Sequence, residues 1–222
     1  MGKRTAQIER KLSKYAIQNL MMIIVGAMAI VFIADLLVYT GTGKSLISML
    51  YFDRAAIAAG QWWRVITFIF CPPDTSLIFI IFALYFYWLI GSALERAWGT
   101  FRFNLYYLCG IVGAIISGLI TGYATNNYLN MSLFLAFAFF YPEFEVLLFF
   151  ILPVKIKWLA YIDAALIAFS FIMSRWSGRL AILFSLSNLV IFFYRDIKLS
   201  VLRIKRNISY RISEWRSRRR YK

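Results

Sequence analysis

Six apolar runs dominate the chain, at about 17–39, 76–93, 103–123, 127–141, 158–173 and 178–194. A helix crosses a bilayer with about 20 apolar residues, fewer where the bilayer is locally thin. The runs predict an all-α membrane protein, a bundle of six transmembrane helices. Composition agrees, since 62% of the 222 residues are hydrophobic and only 16% charged. An ordinary soluble domain carries about 45–50% apolar and roughly 25% charged residues. A soluble enzyme, a disordered chain and a disulfide-stapled secreted module are thereby excluded. The fourth run is short and ends at Pro142-Glu143-Phe144-Glu145. The apolar stretch 146–152 is too short to span and reads as an interfacial segment leading to Pro153-Val154-Lys155-Ile156-Lys157-Trp158. The first run is too long for a cleaved signal peptide, and no small-residue cleavage site follows it.

Charge divides the chain further. Of a formal net charge of +15, residues 1–20 supply +4 and residues 195–222 supply +9, leaving the middle nearly neutral. The expected organisation is a basic N-terminal segment 1–16, a membrane domain 17–194 and a basic amphipathic tail 195–222. Six spans place both termini and the second and fourth loops on one side, which then holds 20 Lys/Arg against 5 on the other. The positive-inside rule puts both termini in the cytoplasm.

The long loop at about 40–75 carries Leu50, Tyr51, Phe52, Ile57, Trp62, Trp63, Val65, Ile66, Phe68 and Phe70. A loop so long and apolar is expected to fold onto the membrane surface. Trp62 and Trp63 beside Arg64 suit the headgroup zone. In the third run Gly110, Ala114, Gly118 and Gly122 recur every four residues, a face that lets a neighbouring backbone approach. Ala181, Ser185 and Asn188 form a similar face in the sixth run, with Ser187 beside it.

The chain has no histidine. That removes every Ser-His or Cys-His pair, every His-bearing zinc site and every His general base. Cys71 and Cys109 lie in or beside apolar runs without metal-ligand spacing and read as buried hydrophobes. No metal or cofactor is expected.

Two ordered motifs carry a family resemblance. Gly60-Gln61-Trp62-Trp63-Arg64-Val65-Ile66-Thr67 resembles the Trp-Arg motif in the first loop of rhomboid proteins. Gly91-Ser92-Ala93-Leu94-Glu95-Arg96-Ala97-Trp98-Gly99-Thr100-Phe101-Arg102-Phe103 resembles the segment joining their second and third spans. The resemblance covers most of 17–194 and implies the rhomboid fold in a bacterial inner membrane. Physically, Gly99 permits a tight turn. Glu95 would accept from backbone groups at that turn or pair with Arg102, and Arg96 lies at the same interface. Arg64 would bond carbonyls of its own loop or lipid phosphate.

Active rhomboids use a serine in a Gly-x-Ser-Gly stretch at the start of the fourth span and a histidine in the sixth. Here the fourth run opens Thr125-Asn126-Asn127-Tyr128-Leu129-Asn130-Met131-Ser132, and the nucleophile's position, counted back from Pro142, falls near Asn127. Ser132 is followed by Leu133, and the sixth run offers Ser185, Ser187 and Asn188, none a base at neutral pH. A hydroxyl without a base is a poor nucleophile. The resemblance thus implies the fold while the missing pair argues against cleavage. Asn127, Asn130, Ser132, Ser185 and Asn188 would line a vestigial cavity. By analogy with inactive rhomboids and Derlins, the chain would bind or shelter transmembrane segments of other proteins. An intramembrane serine protease with an unorthodox base and a small transporter are the alternatives.

Asp35 and Asp163 lie inside apolar runs, where acids are expensive and mark candidate sites. Their depths differ by roughly 20 Å at about 1.5 Å per residue, which excludes a proton-sharing dyad. Asp35 is expected near the outer interface, and Asp163 bonded to a neighbour or reaching the inner one. Gly41-Thr42-Gly43-Lys44-Ser45 lacks the leading glycine and preceding strand of a phosphate-binding loop. In the tail, Ile197, Val201, Ile204, Ile208, Ile212 and Trp215 form one helical stripe, with Lys198, Arg203, Lys205, Arg206 and Arg211 around it. Such a helix would lie on anionic lipid of the inner leaflet, each cation adding about 1 kcal/mol. Docking of a cytoplasmic protein or nucleic acid is the alternative, and a basic tail alone does not specify nucleic acid, which is not expected.

Overall fold

A computed structural model of the chain describes residues 13–73, 77–148 and 152–194. The chain is mostly helical. Its long helices are α1 (Leu20–Thr42), α2 (Leu77–Trp98), α3 (Thr100–Thr121), α4 (Asn127–Phe140), α5 (Ile156–Met173) and α6 (Trp176–Ser185). Among the described residues four, α1, α2, α3 and α5, are long and apolar enough to cross a membrane. Trp176–Phe184 and Ser187–Tyr194 make a fifth if taken as one interrupted span. α4 has only 14 residues, about 21 Å, against a hydrocarbon core of about 30 Å. The chain divides into two compact units, Met1–Asn188 and Leu189–Lys222, the second described only over 189–194, which is helical. Lys198, Arg203, Lys205, Arg206, Arg211 and Trp215 of the tail lie outside the described residues.

Local chemistry sets where these helices stop. α1 ends where Gly43 turns left-handed at φ +68° and donates its N–H to the Tyr39 carbonyl. Between α2 and α3 only Gly99 intervenes. It sits at φ +82°, donates to the Glu95 carbonyl at 2.8 Å and accepts from Phe103 N–H at 3.1 Å. One residue reverses the chain because glycine has no Cβ to oppose that conformation.

The expectation of an all-helical chain is corrected in detail by two short antiparallel ladders. In the first, β1 (Phe52–Asp53) pairs with β2 (Tyr123–Ala124), joining the long loop to the end of α3. In the second, the stretch read as a single interfacial segment contributes to β3 (Glu145–Leu148) and β4 (Leu152–Lys155). A short apolar run is equally compatible with helix and strand, so periodicity did not decide it.

α3 is the central element, packed against α6 most extensively and also against α2 and α4. Its own Phe103, Tyr106 and Tyr107 are buried, as are Leu129, Leu133, Ala136 and Phe137 of α4. A Cβ on Gly113 would meet the Phe184 carbonyl, so α3 and α6 approach backbone to backbone, while Gly91 of α2 makes room for the Met21 side chain of α1. Packing replaces hydrophobic drive where the solvent is itself apolar. Outward faces carry the exposed side chains of Ile30, Leu37, Ile81, Phe169 and Ile172. Exposed apolar area on this scale is satisfied by lipid.

Candidate functional site

Three polar constellations interrupt the apolar bundle. The first is the long loop. Asp53 caps the helical turn Arg54–Ala58 by accepting from Ala55 and Ala56 N–H. Arg64 is buried. Its Nε donates to Gln61 Oε1 at 2.6 Å, and its Nη1 donates to the Ser48 and Tyr51 carbonyls at 3.1 and 3.0 Å. Of the two expected roles it takes the first, bonding carbonyls of its own loop. Thr67 Oγ1 adds a bond to the Leu50 carbonyl at 2.9 Å. Trp62 and Trp63 are both exposed, with Trp63 Nε1 donating to Met49 O at 3.3 Å. Asp35 belongs to the same constellation, since its Oδ1 accepts from Ser45 Oγ at 2.7 Å and Ile47 N–H at 2.9 Å. Asn126, which the sequence did not single out, donates from Nδ2 to the Ile69 and Cys71 carbonyls at 3.0 and 2.8 Å. That pair of bonds staples the loop to the start of α4. Beside it, burial pushes the Cys71 thiol up to about 12.

The second constellation joins the opposite helix ends. Glu95 Oε1 accepts the Asn19 N–H at 3.0 Å, so its side chain anchors the start of α1. Asn104, also unforeseen, accepts the Ile17 N–H at 3.0 Å and donates to the Ile17 and Thr100 carbonyls at 2.9 and 2.8 Å. Arg96 is exposed and Arg102 half-buried at the start of α3. A single Glu or Asn at a helix end carries no long-range signal, so neither partner was readable.

The third lies where α3, α4 and the last span cross. Ser132 is completely buried; its Oγ donates to the Leu129 carbonyl at 2.7 Å and accepts from Asn188 Nδ2 at 3.0 Å. Tyr106 OH donates to the Ser132 carbonyl at 2.9 Å. A Cβ on Gly110 would come within 2.8 Å of Asn188 Nδ2 and would also meet Leu129, so this glycine makes room for the polar pair. Further along the stripe Ala114 is buried, Gly118 lies against Phe52, and Gly122 ends α3 at φ +95°. Gly113, one turn from Gly110, lies against the Phe184 carbonyl of α6 and falls outside the every-fourth-residue pattern.

Of the expected cavity residues, the structure brings Ser132 and Asn188 together. Asn130 is buried with the Tyr87 phenol beside it, and its Oδ1 has no hydrogen-bond partner among the described residues. Asn127 is exposed as the first residue of α4 and stands apart. The Ser185 side chain lies outside what the structure describes. Asp163 is half-buried on the face of α5 that also buries Ile156 and Ile167, and its Oδ2 finds no hydrogen-bond partner among the described residues. Asp35 is held by Ser45 and Ile47, not by Asp163.

Apolar outward faces, helices of spanning length and a buried polar crossing define a multi-pass helical membrane protein. A family model, the Rhomboid domain, matches residues 59–210. The chain belongs to the rhomboid family. Residues of this chain are also 40% identical over a 73-residue stretch to "Rhomboid protease GluP" of Bacillus subtilis (strain 168). That stretch is 32% of this chain and 14% of the relative.

Proposed function

We propose that this chain is a six-span rhomboid-like protein of the cell membrane that does not cleave peptide bonds and instead binds or shelters transmembrane segments. The fourth span is then the short α4, the sixth is the interrupted pair ending at Tyr194, and both basic termini face the cytoplasm. One observation carries the reading, the direction of the hydrogen bond at Ser132. A serine nucleophile must hand its proton to a base. Here the proton is directed to the Leu129 carbonyl, and the facing group is an amide that donates to Oγ. An amide nitrogen takes no proton at neutral pH, and the chain holds no histidine to replace it. A short α4 supports the binding role, since a thinned bilayer lowers the cost of admitting a partner helix with polar residues.

Purified protein in lipid nanodiscs tests both halves. A fluorophosphonate probe is expected to leave every serine unlabelled, and a transmembrane substrate to remain intact. Cleavage that disappears in Ser132→Ala would instead establish a protease. For binding, synthetic Leu/Ala transmembrane peptides with and without a central Asn serve as probes, and retention is expected to favour the Asn peptide. A second reading, a small transporter, draws on Asp163 Oδ2, which has no hydrogen-bond partner among the described residues. Proton-dependent uptake into vesicles, abolished by Asp163→Asn, would favour it.

A further inference from the structure

The β3–β4 hairpin lies between α4 and α5, over the stretch whose sequence reads as interfacial. Its rungs pair Glu145 with Lys155, Val146 with Val154 and Leu147 with Pro153. Successive side chains of a strand point to opposite faces. Val146 and Val154 therefore share one face, and Leu147 and Pro153 the other. A ribbon with one wet face alternates apolar with polar residues. The rungs whose side chains are described do not, since both faces beyond the charged base rung are apolar. Nor does protein cover them: Leu147 is 56% exposed, Pro153 is exposed, and Val146 and Val154 are only half-buried. An isolated two-stranded hairpin is marginal in water.

Its base is fixed. Ile156 N–H donates to the Phe144 carbonyl at 2.8 Å and Lys157 N–H to the Pro142 carbonyl at 3.2 Å. Glu143 clamps Lys155 at 2.8 Å and Lys157 at 2.6 Å. These bonds hold the ribbon where one apolar helix ends and the next begins. Exposed Trp158 and Tyr161 stand on the first turns of α5, residue types that collect at the membrane interface. The ribbon is thus continuous with the exposed apolar face of α5.

We propose that this hairpin is a membrane anchor, with Val146, Leu147, Pro153 and Val154 seated among the phospholipids of the adjoining leaflet and the Glu143 clamp at headgroup level. The occupant is lipid because the apolar rungs adjoin lipid-facing helices at their base. Charge distinguishes this contact from that of a basic tail. Glu143 and Glu145 balance Lys155 and Lys157, so the base is neutral and the anchor needs no anionic lipid.

The test uses the full chain with Cys71→Ala and Cys109→Ala, a nitroxide on Leu147→Cys, and nanodiscs of phosphatidylcholine alone. Collision with oxygen is expected to exceed collision with a water-soluble nickel chelate several-fold, unchanged by 1 M salt as screening alone would not expel an apolar contact. Pro153→Cys, on the same face, should report the same ratio if Leu147→Cys perturbs folding. A chelate-dominated signal at both positions would place the ribbon in water and overturn the proposal. So would low accessibility to both reagents with dipolar broadening between labels, which would make a second copy the occupant. Neither result bears on cleavage or on peptide retention, so this anchor stands or fails apart from the proposed function.

Discussion

If the Ser132–Asn188 contact is a structural bond rather than the remnant of a working site, a double-mutant cycle reads it directly. Ser132→Ala removes the hydroxyl that accepts from the buried Asn188 amide, so this one bond is lost. The net contribution of one intramolecular hydrogen bond is about 0.5–1.5 kcal/mol in water-soluble proteins. In a membrane the unfolded helices find other partners, and measured interhelical bonds average about 0.6 and reach about 1.7 kcal/mol. The expected loss for Ser132→Ala is therefore about 1 kcal/mol, a roughly fivefold shift in the folding equilibrium. Asn188→Ala loses the same bond and also opens space over Gly110, so it should cost more, about 2 kcal/mol. The double variant should cost about 1 kcal/mol less than the sum, because the bond can be lost only once. Reversible unfolding in mixed detergent and lipid micelles, followed by tryptophan fluorescence, measures all four corners. Additivity within about 0.3 kcal/mol would refute the reasoning, since it would mean that the two side chains are not coupled.

Three further outcomes follow from the same geometry. Gly113→Ala drives a Cβ against the Phe184 carbonyl, and overpacking of this kind should cost about 1–3 kcal/mol in the same unfolding assay. Cys71 should resist maleimide near neutral pH until the protein unfolds. Folding favours its protonated thiol, so this contribution is complete below pH 9.0 and erodes as pH climbs toward about 12, measurable as a falling unfolding midpoint in alkali. Glu143 is the opposite case: hydrogen bonds from Lys155 and Lys157 hold its carboxyl down at about 2 against an ordinary 4.5. The stability the clamp contributes is therefore complete above pH 4.5 and erodes as pH falls toward 2, where the carboxylate itself protonates and a spin label at Leu147→Cys should gain mobility.

Sequence reading succeeded where the signal was long and failed where it was a meeting of two distant residues. Twenty apolar residues in a row locate a helix, and α1, α2, α3 and α5 lie within a few residues of the runs that announce them. Gly99 was legible because one residue makes the whole turn. By contrast Asn126, Asn104 and the Asn19 partner of Glu95 act across 55 to 87 residues, and nothing local marks them. The β3–β4 ribbon was hidden because a short apolar run has no period long enough to tell strand from helix.

The polar crossing shows the same limit in chemical form. Counting back from Pro142 pointed to Asn127 for a nucleophile, and residue type pointed to Ser132. The two lie five residues apart on α4, about 7.5 Å along its axis, with Asn127 exposed and Ser132 enclosed. A histidine introduced as Asn188→His would meet a hydroxyl with no route for substrate, and a hydroxyl introduced as Asn127→Ser would have no base on the facing span. Restoring either member alone is therefore expected to give no cleavage of a transmembrane substrate. Cleavage by Asn188→His alone would mean that Ser132 is reached by substrate after all, and that its burial does not describe the working state.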